Sequence, residues 1–259
     1  MKFKKILGID IGGSGIKGAP VNTKTGKYLE NRYRIVTPNP STPEAVASVI
    51  KKIAMHFNWE GPVGCGFPAV VLNGIVKTAS NIDKSWIGVD ACELFTNTLK
   101  LPVMVINDAD AAGLADVKFG AGKGVNGSIL MLTIGTGIGS AFFTRGKLLP
   151  NTELGHLILN GKNVEKYTSD ATRKKEKLGW EEWGSRLNEY LIEIERLFYP
   201  ELIIIGGGMS KKMEKFANFL TVKTRVVPAE LLNDAGIIGA AMAVRANKTE
   251  VLKKFENTR

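Results

Sequence analysis

Short apolar runs and periodic apolar stripes along the first half of the chain predict strands and helices in a definite order. The first three apolar runs predict strands joined by hairpins, because glycine-rich and Thr-Lys-Thr-Gly turns separate them. Thr42, Pro43 and Glu44 are typical of a helix start, with a capping hydroxyl followed by a proline and an acidic side chain in the first turn. The predicted elements are strands over 4–10, 14–21 and 28–36, a helix over 45–57, a strand over 62–67, a helix over about 92–99 and a strand over 103–106.

The same order of elements recurs in the second half of the chain. A long helix is predicted there because apolar side chains repeat at helical spacing. This stripe consists of Leu187, Leu191, Ile194, Leu197 and Phe198. The predicted elements are strands over 128–133, 139–144 and 147–148, a helix over 181–198, a strand over 201–205 and helices over 210–220 and 234–246.

The repeated βββαβα order predicts an α/β protein with two lobes and a cleft between them. We expect an N-terminal lobe over 1–107, completed by a C-terminal helix at about 236–259, and a C-terminal lobe over 108–235. The segment 160–177 is rich in lysine and lacks periodicity. We expect it to be either a mobile loop or part of a basic binding surface.

Composition and charge narrow the class of protein. The chain is 44% apolar and 23% charged, which is ordinary for a globular domain, and no apolar run approaches the ~20 residues that span a bilayer. The start, MKFKKILGID, lacks a long apolar region and a cleavage site, so we expect no signal peptide. Cys65 and Cys92 form no disulfide framework, which favours a location in the cytoplasm.

The net charge of +10 favours either general solvation of the surface or a polyanionic partner. No nucleic-acid-binding signature accompanies it, so we expect neither a nucleic-acid nor a membrane partner.

Two glycine-rich segments, LGIDIGGSGIKG and LTIGTGIGSA, predict phosphate-binding turns, because glycine lets backbone N–H groups approach an anion closely. GSGIKG matches the dinucleotide fingerprint, with Glu30 at a suitable distance, but a hairpin context follows it where the fingerprint requires a helix. A P-loop motif is absent from the sequence. A third glycine run, IIIGGG, is predicted to open from a buried strand into a helix N-terminus. The candidate phosphate-binding residues are Asp10, Gly12, Gly13, Ser14, Gly15, Lys17, Gly135, Thr136, Gly137, Gly206, Gly207 and Gly208.

Two aspartates are candidates for the chemistry of phosphoryl transfer. Asp10 ends the first strand, where a carboxylate holds Mg²⁺ directly or through water, or else caps nearby N–H groups. Asp108 follows a buried strand and precedes a predicted helix, so it is either a proton acceptor or a plain N-cap. Asp110 is the competing candidate for the proton acceptor.

Two further polar segments are candidates for binding a hydroxyl-rich ligand. ELGH places Glu153 and His156 on one short segment, and His156 is otherwise a structural histidine or a metal ligand. TASNIDKSW places Asn81 and Asp83 in a polar turn.

Taken in their order along the chain, these segments resemble the motifs of the ROK family of sugar kinases. The resemblance covers about 6–244. The resemblance implies an actin/hexokinase-like (ribonuclease H-like) fold. LGIDIGGSGIKG is similar to the family's first phosphate motif, VINDADAAG to its catalytic-aspartate segment, LTIGTGIGSA to its second phosphate motif, ELGH to its sugar-binding motif and IIIGGG to its adenosine-side motif. Within the family, DIGGSGIKGAP, TPNPSTPEAV, TASNIDKSW, WEEWGSRLNEYL and PELIIIGGGMSKK are most similar to the glucokinases that use polyphosphate.

The resemblance implies phosphoryl transfer to the 6-hydroxyl of glucose, with Asp108 as the general base and Mg²⁺ near Asp10. The residues that it implies for sugar binding are Asn81, Asn107, Asp108, Glu153 and His156. Many members carry a cysteine-rich zinc motif after ELGH, whereas this chain is lysine-rich there, so we expect no zinc. We also expect no N-terminal DNA-binding domain, because the first strand is predicted to start near Lys4. The resemblance further implies a homodimer.

The phosphoryl donor implied by the resemblance is polyphosphate, ATP or both. A polyphosphate chain needs a basic track, for which Lys17, Lys84 and the segment 162–177 are candidates. The alternatives are a strictly ATP-dependent hexokinase acting on glucose, mannose or an N-acetylhexosamine, and a non-catalytic sugar sensor of the same fold. A Rossmann dehydrogenase is disfavoured by the missing helix after Gly18.

Overall fold

The computed structural model describes residues 4–80 and 82–257, and these divide into two compact units. Unit 1 contains the described residues of 1–115 and 234–259, and unit 2 is formed by 116–233. The chain therefore leaves unit 1 once and returns to it at the end. The lobe boundaries predicted after 107 and 235 stay predictions; the two units divide after 115 and after 233.

Fifteen strands are described. They are β1 (Lys5–Gly12), β2 (Gly15–Asn22), β3 (Lys27–Tyr28), β4 (Tyr33–Ile35), β5 (Val63–Phe67), β6 (Val71–Leu72), β7 (Ile75–Val76), β8 (Val103–Asn107), β9 (Ser128–Ile134), β10 (Ile138–Thr144), β11 (Lys147–Leu149), β12 (Ile158–Leu159), β13 (Lys162–Asn163), β14 (Leu202–Gly207) and β15 (Arg225–Pro228).

Eight α-helices are described together with five short 3₁₀ segments. The α-helices are α1 (Pro43–His56), α2 (Ala91–Leu99), α3 (Asp108–Phe119), α4 (Glu165–Thr168), α5 (Asp170–Lys175), α6 (Trp180–Phe198), α7 (Ala235–Ala246) and α8 (Lys248–Asn257). The 3₁₀ segments are Lys84–Trp86, Leu154–His156, Ser210–Lys215, Ala217–Phe219 and Leu232–Asp234. Within 4–80 and 82–257, no helix combines the length and the hydropathy that a membrane span requires.

Unit 1 is built on a six-stranded sheet in the order β3-β2-β1-β5-β8, with β4 also paired to β2. Strands β1 and β2 form an antiparallel hairpin, whereas β1, β5 and β8 run parallel. The predicted hairpin after the first glycine segment and the predicted helix start at Thr42 are confirmed. The Thr42 hydroxyl accepts the N–H of Ala45, with Pro43 in the first turn.

The C-terminal helix α7 packs directly on the strands of unit 1. A Cβ on Gly8 would lie 2.0 Å from the carbonyl oxygen of Ile237, and a Cβ on Gly64 would lie 2.0 Å from that of Ala240. Only glycine permits this approach of strand and helix backbones. The C-terminal part of the chain is therefore an integral layer of unit 1.

Unit 2 is built on a five-stranded sheet in the order β11-β10-β9-β14-β15. The hairpin of β9 and β10 is antiparallel, and β14 runs parallel to β9 and β15. Helix α6 buries Trp183, Leu187, Leu191 and Ile194 in the core of this unit. The predicted stripe was wrong at its end, where Leu197 and Phe198 are 50% and 40% exposed, because the helix extends past the core there.

The structure corrects three predictions of local structure. The strand predicted over 28–36 is divided into β3 and β4 by the exposed stretch 29–32. The helix predicted over 210–220 consists of 3₁₀ segments, because Met213, Phe216 and Phe219 pack inward at a spacing of three residues, the period of a 3₁₀-helix. The segment 160–177 contains β13, α4 and α5, so the first of its two expectations, a loop, was wrong, while the second, a basic binding surface, stays a prediction.

Candidate active site

The predicted site residues of unit 1 lie at the carboxyl edge of its parallel strands. Asp10 of β1 pairs in register with Gly66 of β5, and Phe67 of β5 pairs with Asn107 of β8. Asp10, Asn107 and the start of α3 therefore share one edge of the sheet. In open α/β sheets this edge is the usual place for a ligand.

Asn107 caps helix α3, and Asp108 begins it. The buried Asn107 amide donates to the carbonyl oxygen of Ala69 at 3.1 Å, and its Oδ1 accepts the N–H groups of Ala109 and Asp110 at 2.8 and 3.2 Å. The Asp108 carboxylate is exposed and accepts the N–H of Ala109 at 2.8 Å. A helix N-terminus favours a carboxylate as the anion, the form that accepts a proton. Asp110, the competing candidate, is only 1% exposed.

The tip of the β1–β2 hairpin carries the first glycine segment. Asp10 and Lys17 face each other across it, with Lys17 Nζ 3.6 Å from Asp10 Oδ2. Burial raises the pKa of Asp10, and the charge and hydrogen bond of Lys17 oppose this in part. At the exposed tip, Arg34 Nη2 donates to the carbonyl oxygen of Ser14 at 2.6 Å. Sequence reasoning missed Arg34, because only the pairing of β2 with β4 brings it there.

A cavity of about 210 Å³ adjoins this hairpin. Thr37, Asn39 and Ser41 supply its polar side chains, and the Thr37 hydroxyl donates to the carbonyl oxygen of Gly12 at 2.5 Å. The remaining lining residues are Gly12, Gly13, Pro38, Pro68 and Ile82. Thr37, Asn39 and Ser41 all belong to the polar, proline-rich TPNPSTPEAV segment. Sequence reasoning assigned no site residue to this segment. Asn81, which the resemblance implied, lies outside the described residues.

Unit 2 brings the other two glycine segments together. In the parallel pair of β9 and β14, Gly207 lies opposite Ile134, so the turn 135–137 and the run 206–208 lie side by side. The turn is closed by the N–H of Gly135, which donates to the carbonyl oxygen of Gly137 at 2.9 Å. Gly207 has φ +69°, and a Cβ there would lie 2.5 Å from the carbonyl oxygen of Ile134. This close approach requires glycine.

Glu165 supports the turn 135–137. Its Oε2 accepts the N–H of Ile138 at 2.9 Å, and the N–H of Ala171 donates to the carbonyl oxygen of Gly135 at 3.2 Å. Sequence reasoning missed Glu165, since it lies in the lysine-rich segment that was interpreted by charge alone.

Glu153 precedes a one-turn 3₁₀-helix that packs on β10, and His156 is the last residue of that helix. The segment is anchored by the N–H of Leu154, which donates to the Ser140 hydroxyl at 3.0 Å. His156 Nε2 lies 3.7 Å from Glu153 Oε2. Burial raises the pKa of Glu153, the nearby His156 opposes this, and Glu165 adds to it. No group of three or more His, Cys, Asp or Glu side chains that could hold a metal ion occurs in the part of the chain that the structure describes.

Each unit therefore assembles part of the predicted site on its own sheet. Unit 1 gathers Asp10, the hairpin tip, Asn107 and Asp108, while unit 2 gathers the two glycine turns and the Glu153–His156 segment. A carboxylate proton acceptor and glycine turns for phosphates are the groups that phosphoryl transfer needs.

Comparison with known proteins links this arrangement to one family. The sequence model of the protein family described as "ROK family" matches residues 6–172 of this chain. Polyphosphate glucokinase of Mycobacterium tuberculosis (strain CDC 1551 / Oshkosh) is 46% identical over 244 residues, which cover 94% of this chain and 92% of that protein. Polyphosphate glucokinase of Mycobacterium leprae (strain TN) is 45% identical over 94% of this chain and 75% of that protein.

A solved structure extends the similarity to three dimensions. The crystal structure of the inorganic polyphosphate/ATP-glucomannokinase from Arthrobacter sp. strain KM matches with a TM-score of 0.88 and 46% identity, covering 94% of this chain and 99% of that one. The range matched by the family model includes Asp10, Asp108, Glu153 and His156.

Proposed function

The chain belongs to the ROK family, and we propose that it is a glucokinase that uses inorganic polyphosphate, ATP or both. It transfers the terminal phosphoryl group of the donor to the 6-hydroxyl of glucose. The observation that carries the proposal is the exposed carboxylate of Asp108 at the start of α3, with its helix capped by Asn107. The similarity to polyphosphate glucokinases supports the choice of substrates.

Asp108 acts as the general base. Its carboxylate accepts the proton of the 6-hydroxyl as that oxygen forms a bond to the terminal phosphorus, while the bond from phosphorus to the bridging oxygen of the donor breaks and that oxygen keeps the electron pair. General-base catalysis of this kind contributes ~10²–10⁴-fold to a rate. Because the transition state of phosphoryl transfer spreads negative charge over three oxygens, positioning and charge neutralisation supply the remainder.

We propose that glucose contacts the residues that the resemblance implied: Asn81, Asn107, Asp108, Glu153 and His156. The polar side chains of Thr37, Asn39 and Ser41 add hydrogen-bonding groups beside the hairpin tip of unit 1. A sugar presents a hydroxyl on most of its carbons, so a wall of short polar side chains suits it. The Arthrobacter relative is a glucomannokinase, and mannose is therefore proposed as a second acceptor.

The donor phosphates are proposed to lie against the glycine turns, including Gly12, Gly13, Gly135, Thr136, Gly137 and the run 206–208. Asp10 fits a Mg²⁺ ion held through water, because Mg²⁺ typically takes one or two carboxylates and completes its shell with water and substrate phosphates. When bound, the ion would supply positive charge beside the transferring group. Lys17 supplies a fixed charge at the same edge, 3.6 Å from Asp10.

We further propose that the protein is a cytoplasmic homodimer. Both cysteines, Cys65 and Cys92, are free and buried, which suits a reducing compartment. Unit 2 exposes large apolar side chains on β11, in the second half of α6 and at the residue that follows α6, and a second copy would cover them. They are Leu149, Ile192, Leu197, Phe198 and Tyr199. Light scattering of the purified protein tests the dimer, and a monomer at micromolar concentration would contradict it.

The first experiment is the formation of glucose 6-phosphate by the purified protein with Mg²⁺, with polyphosphate and ATP compared as donors. We expect turnover with polyphosphate. Turnover with ATP alone would leave the Asp108 mechanism intact and remove polyphosphate from the proposal. No turnover with either donor, for glucose or mannose, would overturn the proposed function.

A further inference from the structure

Three cations surround one tryptophan ring in unit 2. The guanidinium carbon of Arg173 lies 4.3 Å from the ring centroid of Trp180, and the Nζ atoms of Lys215 and Lys212 lie at 5.4 and 5.9 Å. The indole itself is held by Trp183 and Phe216, whose rings pack against it. We call Arg173, Trp180, Lys212 and Lys215 the Trp180 cluster.

The charges of this cluster are only partly neutralised. Asp170 pairs with Arg173 at 2.9 Å and with Lys174 at 2.8 Å. Burial would raise the pKa of Asp170, but hydrogen bonds from Lys174 and Arg173, together with the charge of Lys212, lower it below its ordinary value. Among the described residues, no carboxylate lies within 4 Å of Lys212 or Lys215 to form an ion pair.

The two segments that carry the cluster are strongly basic. Asp170–Lys175 and Ser210–Lys215 together contain six lysine or arginine residues and two carboxylates, Asp170 and Glu214. Like charges held close together repel one another, and the indole face offsets only part of that repulsion. An anion lying against Lys212 and Lys215 would offset the rest.

Both segments are attached to the glycine turns. The N–H of Ala171, in α5, donates to the carbonyl oxygen of Gly135 at 3.2 Å. The hydroxyl of Ser210 donates to the carbonyl oxygen of Gly207 at 2.8 Å, and Lys212 follows within the same 3₁₀ segment. The Trp180 cluster is therefore tied to the two turns on which the donor phosphates are proposed to lie.

We propose that the Trp180 cluster is a subsite for the part of a polyphosphate chain beyond the transferred phosphoryl group. The inference rests on the proposed function. Polyphosphate carries negative charge on every unit, so a chain whose end lies on the glycine turns continues as a polyanion. ATP continues as an uncharged nucleoside, which gains nothing from Lys212 and Lys215. The subsite thus favours polyphosphate over ATP and long chains over short ones.

The Trp180 cluster overlaps only in part with the basic track that the sequence predicted. The sequence pointed to the lysine-rich segment 162–177, but Arg173 and Lys174 are engaged by Asp170. Lys162 lies 5.2 Å from the ring of Tyr167, a contact separate from the Trp180 cluster. Within the Trp180 cluster as the structure describes it, Lys212 and Lys215 form no ion pair, and both lie outside that segment.

The test is the double variant Lys212→Ala/Lys215→Ala, assayed with long-chain polyphosphate, tripolyphosphate and ATP at saturating glucose. We expect kcat/KM for long polyphosphate to fall about tenfold, and the loss with ATP or tripolyphosphate to stay within about twofold. The slope of log(kcat/KM) for long polyphosphate against log salt concentration should become shallower by about 2, one for each lost phosphate contact. Lys212→Arg/Lys215→Arg should restore most of the activity with long polyphosphate.

A matched control is Lys123→Ala/Lys223→Ala, which removes the same charge from exposed positions elsewhere in unit 2. It should leave the preference for long chains unchanged. An equal loss for all three donors, a loss mainly with ATP, or the same effect in the control would overturn the subsite. A loss mainly with ATP would assign the cluster to the nucleoside.

Calorimetric titration with long polyphosphate in the absence of glucose separates this inference from the proposed function. If the wild-type protein forms no glucose 6-phosphate but its polyphosphate affinity falls in Lys212→Ala/Lys215→Ala, the subsite stands and the proposed function fails. If the affinity is the same in wild type and variant, the subsite is overturned whatever the activity.

Discussion

Lys17 and Asp10 face each other across the β1–β2 hairpin, with 3.6 Å between Nζ and Oδ2. Burial raises the pKa of Asp10, whereas Lys17 pulls it down again. The charge state of the carboxylate proposed to hold Mg²⁺ therefore depends on its neighbour in the hairpin.

Lys17→Met is expected to shift the acid limb of the pH–activity profile to higher pH. Without the ammonium group, the pKa of Asp10 rises further, so a larger fraction is protonated at any given acidic pH. The measurement is kcat/KM for glucose against pH. Lys24→Met, at an exposed turn residue, is the control and should leave the limb in place. If the acid limb does not move in Lys17→Met, the ionisation of Asp10 does not control the activity.

Asp10→Asn is expected to stabilise the fold at neutral pH while lowering activity. A carboxyl whose pKa is raised in the folded state stabilises the protein fully below its unfolded value of 3.8, and this contribution is lost as pH rises through the folded pKa. The gain in unfolding free energy of Asp10→Asn over the wild type should therefore grow as pH rises from the unfolded pKa to the folded pKa of Asp10, and then level off. Thermal unfolding of both proteins at several pH values measures this difference in stability. If Asp10→Asn is less stable than the wild type at neutral pH, the prediction is contradicted.

Asp108→Asn is expected to keep glucose binding and to lose at least ~10²-fold in kcat, because the amide cannot accept the proton. Calorimetry gives the glucose affinity, and a coupled assay gives kcat with either donor. Asp110→Asn tests the competing residue, which is buried behind the helix start. Near-normal turnover in Asp108→Asn, with a large loss in Asp110→Asn, would transfer the base role to Asp110.

Gly207→Ala is expected to destabilise the protein by about 1–3 kcal/mol or more. Its Cβ would lie 2.5 Å from the carbonyl oxygen of Ile134, and its φ of +69° is unfavourable for alanine. Gly208→Ala is the matched control, because a Cβ there meets nothing within 4 Å. Denaturant unfolding should show a loss only in Gly207→Ala. Equal stabilities would mean that β9 and β14 do not approach as closely as described.

Glu165→Ala is expected to weaken the turn 135–137 and to raise KM for both donors. The lost hydrogen bond from the N–H of Ile138 has a charged acceptor. The free energy of unfolding is therefore expected to fall by about 1.5–3 kcal/mol. Glu165→Gln keeps an acceptor oxygen and should recover most of both properties. If the glutamine variant is as impaired as the alanine variant, the charge of Glu165 matters more than its support of the turn.

Local signals in the sequence determined much of the fold. The glycine turns predicted the β1–β2 and β9–β10 hairpins, and Thr42 with Pro43 predicted the start of α1. An apolar run followed by Asn107 and Asp108 predicted the strand-to-helix junction. These features depend on residues a few positions apart, which a sequence displays directly.

Contacts between distant segments were decided only by the tertiary structure. It buries Asp110 and leaves Asp108 exposed, although both are aspartates two residues apart on one helix. It places Glu165 beside Ile138, 27 residues away along the chain, and it places Lys212 and Lys215 against Trp180, 32 and 35 residues away. Such contacts depend on strand register and on which helix face is buried. A local pattern carries no record of either, because both follow from how the whole core packs.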